Sequence, residues 1–362
     1  MLVTAVEAKP LRSLSGVRVE LGEGIFSLIG PNGAGKTNLL EALYFALTGR
    51  SFRTSDRREL IPFGTPLARA EAVVRDAAGG EHRLLASVSR GEGRRHLLDG
   101  SPADPAELAR HRPPVAVFSP DRLALVKGPP GERRAHLDRY VAARWPSRAP
   151  LRQRYGQALA QRNALVARLA AGSSGGDLAV WDQALAEAAA ALVDARREAI
   201  DELATPFAAA ASDLGLPPPA TLEYAPRATG SPEEIRSGLT ERRAADLRLG
   251  RTSWGPHLDE LKVAVADKSL RRYGSQGQQR AGLLALLFAE REALLVARRV
   301  APLLLLDDVM SELDRERRER LVSRLAAGGQ ALITAAAEES VPQAARANVL
   351  RMPFGAMRSA AA

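Results

Sequence analysis

The sequence predicts an α/β protein with a mixed sheet, part of it antiparallel, and a short helical arm subdomain. Three observations predict this fold class. A short apolar run at 25–30 leads through a glycine-rich loop into a helical pattern. Alternating apolar runs with glycine turns follow between 68 and 100. An alanine- and leucine-rich region between about 131 and 215 has the composition of long helices.

The first third of the chain reads as strands around one helix. The run "IFSLIG" (25–30) predicts a buried strand, and "TNLLEALYFALTG" (37–49) predicts a helix closed by Gly49. Further strands are predicted from alternating patterns, and glycine-containing turns make the first three antiparallel. They are 68–76, 82–89, 94–100 and 114–121, the last stopped by Pro120.

The middle of the chain predicts a helical hairpin. Helices of about 20 to 28 residues are expected around 151–170 and 181–204, joined by the flexible loop "AGSSGGD" at 171–177. A further helix begins after Ser231, because Ser231, Pro232 and Glu234 form the pattern of a capping box with proline in the first turn.

The last third returns to strands and helices. A helix is predicted at about 278–299, and buried strands at 303–308 and 331–335; the end of the chain, 357–362, has nothing to fold with. The chain is therefore divided into three parts. They are the first half of an α/β head (1–130), a helical arm (131–245) and the second half of the head (246–362).

Composition limits the function. The 362 residues contain no cysteine, which excludes disulfides and cysteine-ligated zinc, and the start of the chain does not resemble a signal peptide. We expect a cytoplasmic protein. The formal net charge of +9 has two interpretations: the codon bias of an arginine-rich chain, or a polyanionic partner such as nucleic acid. Because aromatic residues are only 4%, phosphate contacts on a duplex are expected rather than base stacking.

The segment "GPNGAGKTN" (30–38) matches the pattern G-x-x-x-x-G-K-[ST] and predicts ATP binding. Its glycines let successive backbone N–H groups turn towards a β-phosphate at a helix N-terminus. Lys36 is expected to neutralise the β/γ oxygens, and the Thr37 hydroxyl to ligate Mg²⁺. The predicted nucleotide contacts in this segment are Gly30, Pro31, Asn32, Gly33, Ala34, Gly35, Lys36, Thr37 and Asn38.

The run "LLLLDDVMSELD" (303–314) supplies two carboxylates after a buried strand. Asp307 follows the strand directly, where ligands collect in parallel sheets, and is expected to hold Mg²⁺. Asp308 is expected to orient or deprotonate the attacking water. The competing interpretation, a helix or turn cap, explains the pair without a ligand.

The run "YGSQGQQR" (273–280) predicts a second phosphate contact. The Ser275 hydroxyl, the Gly277 N–H and the start of the following helix would form an anion site, with Gln276 and Gln278 beside them. Two phosphate sites on one triphosphate make sense if they come from opposite sides, in a head-to-tail pair of copies. The competing interpretation is an ordinary N-capped helix.

Together, these three segments resemble the Walker A, signature and Walker B/D-loop motifs of ABC-type ATPases, in the SMC-like branch. The chain more closely resembles the RecF family of bacterial recombination mediators. The resemblance covers nearly the whole chain and includes three further segments. They are "GRSFRTSDRRELIPFG" (49–64), "SPDRLALVKGPPGERRAHLD" (119–138) and "GPHLDEL" (255–261).

The chain also departs from the family pattern. Leu258 stands where the family usually has arginine, so a contact made by that arginine is in question here. No histidine follows "ALIT" (331–334), and Thr334 is the nearest polar candidate for that position. Arg53, Arg133 and Arg134 are candidate DNA contacts. The alternatives are a surface salt bridge for Arg53, and pairing of Arg133 and Arg134 with Glu132 and Asp138.

The resemblance implies an ATP-dependent DNA-binding protein with ATP and Mg²⁺ as cofactors and weak, DNA-dependent hydrolysis. It further implies a homodimer formed on double-stranded DNA or at single-strand/double-strand junctions, with RecR and RecO as partners and RecA loading as the outcome. Two alternatives are the ATP-binding subunit of an ABC transporter and a small-molecule kinase. The transporter class has a shorter separation between its motifs, whereas Lys36 and Ser275 are separated by more than half of this chain. A kinase would leave "SQGQQ" unexplained.

Overall fold

The computed structural model describes residues 1–91, 93–119 and 123–353. The predicted strand stop at Pro120 and the stretch 357–362 lie outside these residues. Within them, the strands are β1 Leu2–Lys9, β2 Val17–Glu20, β3 Gly24–Ile29, β4 Leu67–Arg75, β5 Glu81–Ser89, β6 Gly93–Leu98, β7 Ser101–Pro102, β8 Val115–Phe118, β9 Ala220–Ala225, β10 Glu260–Val265, β11 Lys268–Ser269, β12 Leu303–Leu306, β13 Gln330–Ala335 and β14 Asn348–Arg351.

The α-helices are α1 Lys36–Thr48, α2 Pro105–Arg110, α3 Ala124–Lys127, α4 Pro130–Arg144, α5 Leu151–Ala170, α6 Leu178–Asp213, α7 Pro232–Glu241, α8 Arg243–Leu249, α9 Leu270–Tyr273, α10 Gln276–Arg298 and α11 Arg315–Ala326. Short 3-10 turns occupy Arg57–Leu60, Pro146–Arg148, Pro256–Leu258, Met310–Glu312, Glu338–Ser340 and Gln343–Ala345. None of the helices in the described part of the chain has the length and apolar composition that a membrane span requires.

The chain divides into two compact units. The first contains Met1–Arg122 and Leu294–Ala362, and the second contains Leu123–Ala293. This division differs from the three parts drawn from the sequence, because 246–293 groups with the helical region. The physical reason is pairing: β10 pairs along its length with β9, and Asp259 next to it bonds to Arg196 of α6.

The first unit contains two sheets that explain the mixed pattern. One is antiparallel, in the order β2-β1-β4-β5-β6-β7, and the other is parallel, in the order β14-β3-β13-β12-β8. Strands of a parallel sheet end at the same edge, so the segments that follow β3, β12 and β13 meet there. This edge is where ligands collect in such sheets.

Helix α1 is buried on all sides from its second turn onwards, as its mostly apolar sequence predicts, and Glu41 is the one charged residue in this stretch. Every residue from Leu39 to Leu47 is buried, and the helix packs against β1, β4 and β5 as well as β13. Gly49 ends it in a left-handed conformation with φ of 62°, where a Cβ atom would lie 1.7 Å from Nε2 of His96. The predicted helix and its glycine stop are therefore confirmed, and the glycine makes room for a side chain of β6.

The second unit is built on the long antiparallel pair α5 and α6. At its centre, the fully buried Arg162 donates to Asp182 and Asp246 at 2.7 Å each, and to the Thr252 hydroxyl at 2.7 Å. Because these partners come from α6, α8 and the loop after α8, one guanidinium connects three segments to α5. An isolated buried charge would be strongly unfavourable, whereas this one is paired twice.

Helix α6 is longer than predicted. It has 36 residues and continues through Pro206, whereas the predicted helix ended before that proline. A proline inside a helix costs about 3 kcal/mol. The residues beyond it are buried, however, and Phe207, Ala210, Ala211 and Leu214 are all 0% exposed. Burial contributes about 1.5–3 kcal/mol for each large apolar side chain, so Phe207 and Leu214 together outweigh the cost of the proline.

Phe207→Ala should therefore lower the free energy of unfolding by about 3–5 kcal/mol, since it leaves a cavity in the second unit. Phe63→Ala is the matched control, because Phe63 is fully exposed (101%) and undergoes the same chemical change. Urea unfolding of both variants measures the effect. Equal stability of the two variants would contradict the packing described for the end of α6.

Candidate nucleotide-binding site

The loop between β3 and α1 has the geometry of a phosphate cradle. Gly33 and Gly35 have φ of 82° and 94°, in the left-handed region that favours glycine. Gly35 is the N-cap of α1 and no side chain caps this end, so the first N–H groups of the helix point into the loop without a side-chain acceptor. Such a helix N-terminus attracts anions.

Gly30 is needed for a different reason. A Cβ atom at this position would lie 2.3 Å from the carbonyl oxygen of Met352. Met352 donates its N–H to Ile29 at 2.7 Å, so the residue after β14 packs directly on the end of β3. The first glycine of the motif therefore permits a close approach of two backbone segments beneath the loop.

The Lys36 ammonium group lies over the loop itself. It donates to the carbonyl oxygens of Gly30 at 2.6 Å and of Pro31 at 3.0 Å. These contacts hold the positive charge against the turn formed by the motif. The predicted role of Lys36 needs its ammonium group close to the loop, and these contacts hold it there.

The central interaction of the site is between Thr37 and Asp307. The Thr37 hydroxyl lies 2.9 and 3.0 Å from the two carboxylate oxygens of Asp307, which joins the start of α1 to the end of β12. The buried Thr334 hydroxyl donates to the same carboxylate at 2.8 Å. Burial raises the pKa of Asp307 above its ordinary value, while the hydrogen bonds from Thr334 and Thr37 oppose this rise.

Asp308 has an unusual backbone conformation. Its φ is 50°, a left-handed value that is uncommon for a residue other than glycine. Its N–H donates to the Thr334 hydroxyl at 2.8 Å, and its carbonyl accepts from Ser311 at 2.9 Å. The Thr334 hydroxyl therefore contacts both acidic residues: the side-chain carboxylate of Asp307 and the backbone N–H of Asp308.

The segment at Ser275 belongs to the second unit. Gln278 donates its N–H to the Ser275 hydroxyl at 3.2 Å, and Ser275 donates its own N–H to the Gln278 side chain at 2.9 Å. This reciprocal pair caps α10. Ser275 and Gln276 are exposed, and Gly277 and Gln278 are half-buried. The cap and an exposed phosphate contact are compatible, so both interpretations of this segment remain.

Comparison with known proteins agrees with this geometry. The family model described as RecF/RecN/SMC N terminal domain matches residues 2–356. The protein "DNA replication and repair protein RecF" of Streptomyces avermitilis is 37% identical over 364 residues, covering 94% of this chain and 95% of the relative. This chain belongs to the RecF family.

Solved structures support the same conclusion. A structure of the recombination mediator protein RecF with ATP, in the RecFOR pathway, has a TM-score of 0.84 and 27% identity; the match covers 94% of this chain and 93% of that chain. An Smc head bound to the C-winged helix domain of ScpA has a TM-score of 0.57 at 17% identity, with 97% and 94% covered, and shows the fold alone. The predicted fold class, an ABC-type ATPase head with a helical region, is confirmed.

The arginine residues proposed as DNA contacts have partners in the structure. Arg133 is 3% exposed, and its guanidinium forms a two-fold contact with Glu260 at 2.6 and 2.8 Å. This geometry argues against a DNA contact from Arg133, and its partner is Glu260 rather than Glu132 or Asp138. Arg134 donates to the Asp259 carbonyl at 2.8 Å.

Arg53 belongs to the first unit and contacts Asn38, at the start of the helix after the phosphate loop. It is partly exposed and donates to Asn38 at 3.1 Å and to the buried Glu41 at 3.4 Å. Arg12 and Ser51 contact the same Glu41 carboxylate at 2.9 and 2.5 Å. The salt bridge weighed for Arg53 is thus present, and the whole group braces the helix that follows the loop. The sequence analysis missed Glu41 and Arg12, because a glutamate in an apolar helix pattern gives no signal of its partners.

The family motif at 255–261 has a structural role in the second unit. Asp259 is fully buried and accepts from Arg196 at 3.0 Å, from the Arg227 N–H at 2.7 Å, and from the Tyr224 hydroxyl. Leu258, where the resemblance leads us to expect arginine, is 42% exposed. This side chain therefore lies at the surface of the motif, beside its buried aspartate.

The residues at the sheet edge fit a magnesium nucleotide. The loop supplies N–H donors and a cation for phosphate oxygens, and Thr37 and Asp307 supply the hydroxyl and carboxylate oxygens that Mg²⁺ prefers. The same two groups were predicted from the sequence, and their 2.9 Å contact places them together.

Gly30→Ala should destabilise the first unit by about 1–3 kcal/mol, because the added methyl group meets the Met352 backbone rather than a flexible side chain. Gly91→Ala is the matched control, since a Cβ atom there meets nothing within 4 Å. Thermal unfolding of both variants measures the difference. A Gly30→Ala protein as stable as the control would mean that the close approach under the loop is not a constraint.

Proposed function

We propose that this protein binds ATP with Mg²⁺ and uses it to control binding to double-stranded DNA in recombinational gap repair. The observation that carries the proposal is the hydrogen-bonded contact between Thr37 of the phosphate loop and Asp307 of the parallel sheet. The RecF relative with ATP and the name of the curated relatives support the nucleotide and the pathway.

ATP binding would use groups that are already positioned. The N–H groups of the loop and the N-terminus of α1 would bind phosphate oxygens, and Lys36 would exchange its carbonyl partners for them. Mg²⁺, when bound, neutralises charge on the phosphates; Thr37 and Asp307 supply its protein ligands. An anionic carboxylate favours the metal, and the hydrogen bonds that Asp307 accepts favour that anionic form.

Hydrolysis would depend on Asp308. Its carboxylate belongs to the residue that follows Asp307 and is proposed to orient or deprotonate the attacking water. The left-handed backbone of Asp308 fixes the direction in which this side chain leaves the sheet edge. We propose slow hydrolysis that serves as a release switch, with the weak activity dependent on DNA.

The signature segment would act from a second copy. Ser275 is exposed at the N-terminus of α10, and its N-cap geometry presents a helix dipole that favours an anion. In a head-to-tail homodimer, Ser275, Gln276, Gly277 and Gln278 of one copy contact the nucleotide held by Lys36 of the other. ATP would thus close the dimer on duplex DNA or at a single-strand/double-strand junction. RecR and RecO are the proposed partners, and RecA loading is the outcome.

Ser275→Arg should leave ATP binding unchanged and prevent ATP-driven dimerisation, because arginine would collide with the opposing nucleotide. Ser174→Arg is the control, since it adds the same side chain at an exposed position in the loop between α5 and α6. Analytical ultracentrifugation with ATP and Mg²⁺ separates monomer from dimer. A dimer formed equally well by both variants would show that the signature segment does not act from the second copy.

Thr334→Val should lower the hydrolysis rate about 5- to 150-fold, because it removes the hydroxyl that holds the Asp307 carboxylate and the Asp308 backbone, and carboxylates out of position would lose about 1–3 kcal/mol of transition-state stabilisation. Thr334→Ser keeps the hydroxyl and should restore most of the rate. Single-turnover hydrolysis is compared with ATP affinity measured separately. If the valine and serine variants hydrolyse ATP equally, Thr334 does not position the two carboxylates.

A further inference from the structure

A groove of about 660 Å³ lies in the second unit, outside the nucleotide site. Its floor is formed by the outward face of β9, β10 and β11, and its walls come from α3, α4 and α9. The groove belongs to a sheet that none of the nucleotide-site residues occupies, so the proposed ATP chemistry does not account for it.

The floor of the groove is smooth and carries hydroxyl groups. Thr221 is paired across the strands with Ala264, and Ala264 is paired with Ser269, so these three side chains form one row on one face. The next row contains Glu223 opposite Lys262, which form an ion pair at 2.8 Å. Short side chains let a ligand approach the sheet closely, and hydroxyl groups donate to phosphate oxygens.

The lining of the groove carries more basic than acidic side chains. Residues with charged side chains line the groove, and the bases outnumber the acids. They are Lys127, Arg133, Lys262, Arg271 and Arg272, against Glu223, Glu260 and Asp267.

Two of the three acids are engaged by neighbouring cations. Glu260 is paired with Arg133 at 2.6 Å, and Glu223 with Lys262. Arg271 also lies 4.0 Å from Glu260, so the cations that no acid in the groove engages are Lys127 and Arg272. Lys127 and Arg272 are exposed, so an anion in solution can reach them.

We propose that this groove binds the sugar–phosphate backbone of duplex DNA. Lysine and arginine on the walls neutralise phosphates, and the small hydroxyl-bearing floor accepts the backbone without steric conflict. The inference rests on the proposed function for the DNA itself and adds where it binds. Arg133 also lines the groove, but its guanidinium is paired with Glu260. The proposed DNA contacts are therefore made by the other cations of the groove and not by Arg133.

The groove is connected to the signature segment through α9. Arg271 and Arg272 belong to this short helix, which precedes Ser275 by two residues. Gln279 of α10 donates to the Leu270 carbonyl at 2.9 Å, and a Cβ atom at Gly274 would lie 2.6 Å from Leu270. Because α9 and the start of α10 are packed this closely, a phosphate bound by α9 would influence the position of Ser275.

The test uses the double variant Lys127→Gln with Arg272→Gln in the full chain. Its control is Arg154→Gln with Arg168→Gln, which removes two charges from exposed positions on α5. Fluorescence anisotropy with a labelled duplex, titrated at several salt concentrations in the presence of ATP and Mg²⁺, gives affinity and its salt dependence. The groove variant should bind more weakly, with a slope of log K against log salt that is shallower by about 1–2 than that of wild type. Its ATP affinity should be unchanged, and the control should retain nearly the wild-type slope.

Three results would overturn the proposal. The first is a groove variant that binds duplex with the affinity and slope of the control. The second is loss of binding to poly-glutamate with duplex binding intact, which would identify the groove as a site for an acidic protein segment. The third is a wild-type protein that binds no duplex with ATP, which would also remove the proposed function; the first two results leave that function standing.

Discussion

The carboxylate of Asp307 is the constraint on which the nucleotide site depends. It is buried at the end of β12 in the parallel sheet, and it accepts hydrogen bonds from Thr37 and Thr334. Thr37 belongs to the first turn of α1, the helix after the phosphate loop, and Thr334 lies near the end of the neighbouring strand β13. A single side chain therefore connects the helix after the phosphate loop to β13, next to the acidic residue Asp308. Burial alone would favour the protonated acid, and the two hydroxyl donors favour the anion that a magnesium site needs.

The segment at Ser275, which we propose as a second phosphate contact, has a different structural basis. It caps α10 in the unit that also contains the helical hairpin and the three-stranded sheet, whereas the phosphate loop belongs to the other unit. Its serine is exposed and satisfied locally by Gln278, so it is a stable cap before any nucleotide is present. A cap of this kind can offer its hydroxyl and helix dipole to another molecule without refolding. This property is what the proposed head-to-tail dimer would require, and DNA in the proposed groove beside α9 would lie next to it.

Local sequence patterns predicted most of the fold and the nucleotide site. The phosphate loop, the strand before Asp307 and the capping box at Ser231 are all set by neighbouring residues, so they could be recognised without tertiary structure. The errors came from long-range effects. The end of α6 was set by burial of Phe207 beyond a proline, and the partner of Arg133 was Glu260, more than a hundred residues away. From the sequence, Thr334 was only the nearest polar residue to the position of the family histidine. Its two partners, the Asp307 carboxylate and the Asp308 N–H, follow the adjacent strand β12 and are visible only in the structure.

The central claim is that each working pocket combines the phosphate loop of one copy with the signature segment of another. Mixing two inactive variants, Lys36→Met and Ser275→Arg, tests it most directly by measuring ATP hydrolysis in the presence of duplex DNA. Neither variant alone should hydrolyse ATP, and the mixture should regain activity. In a mixed dimer, Lys36 of the Ser275→Arg copy would meet the intact Ser275 of the Lys36→Met copy. Activity of the Ser275→Arg protein alone, or a mixture no more active than its components, would contradict the claim.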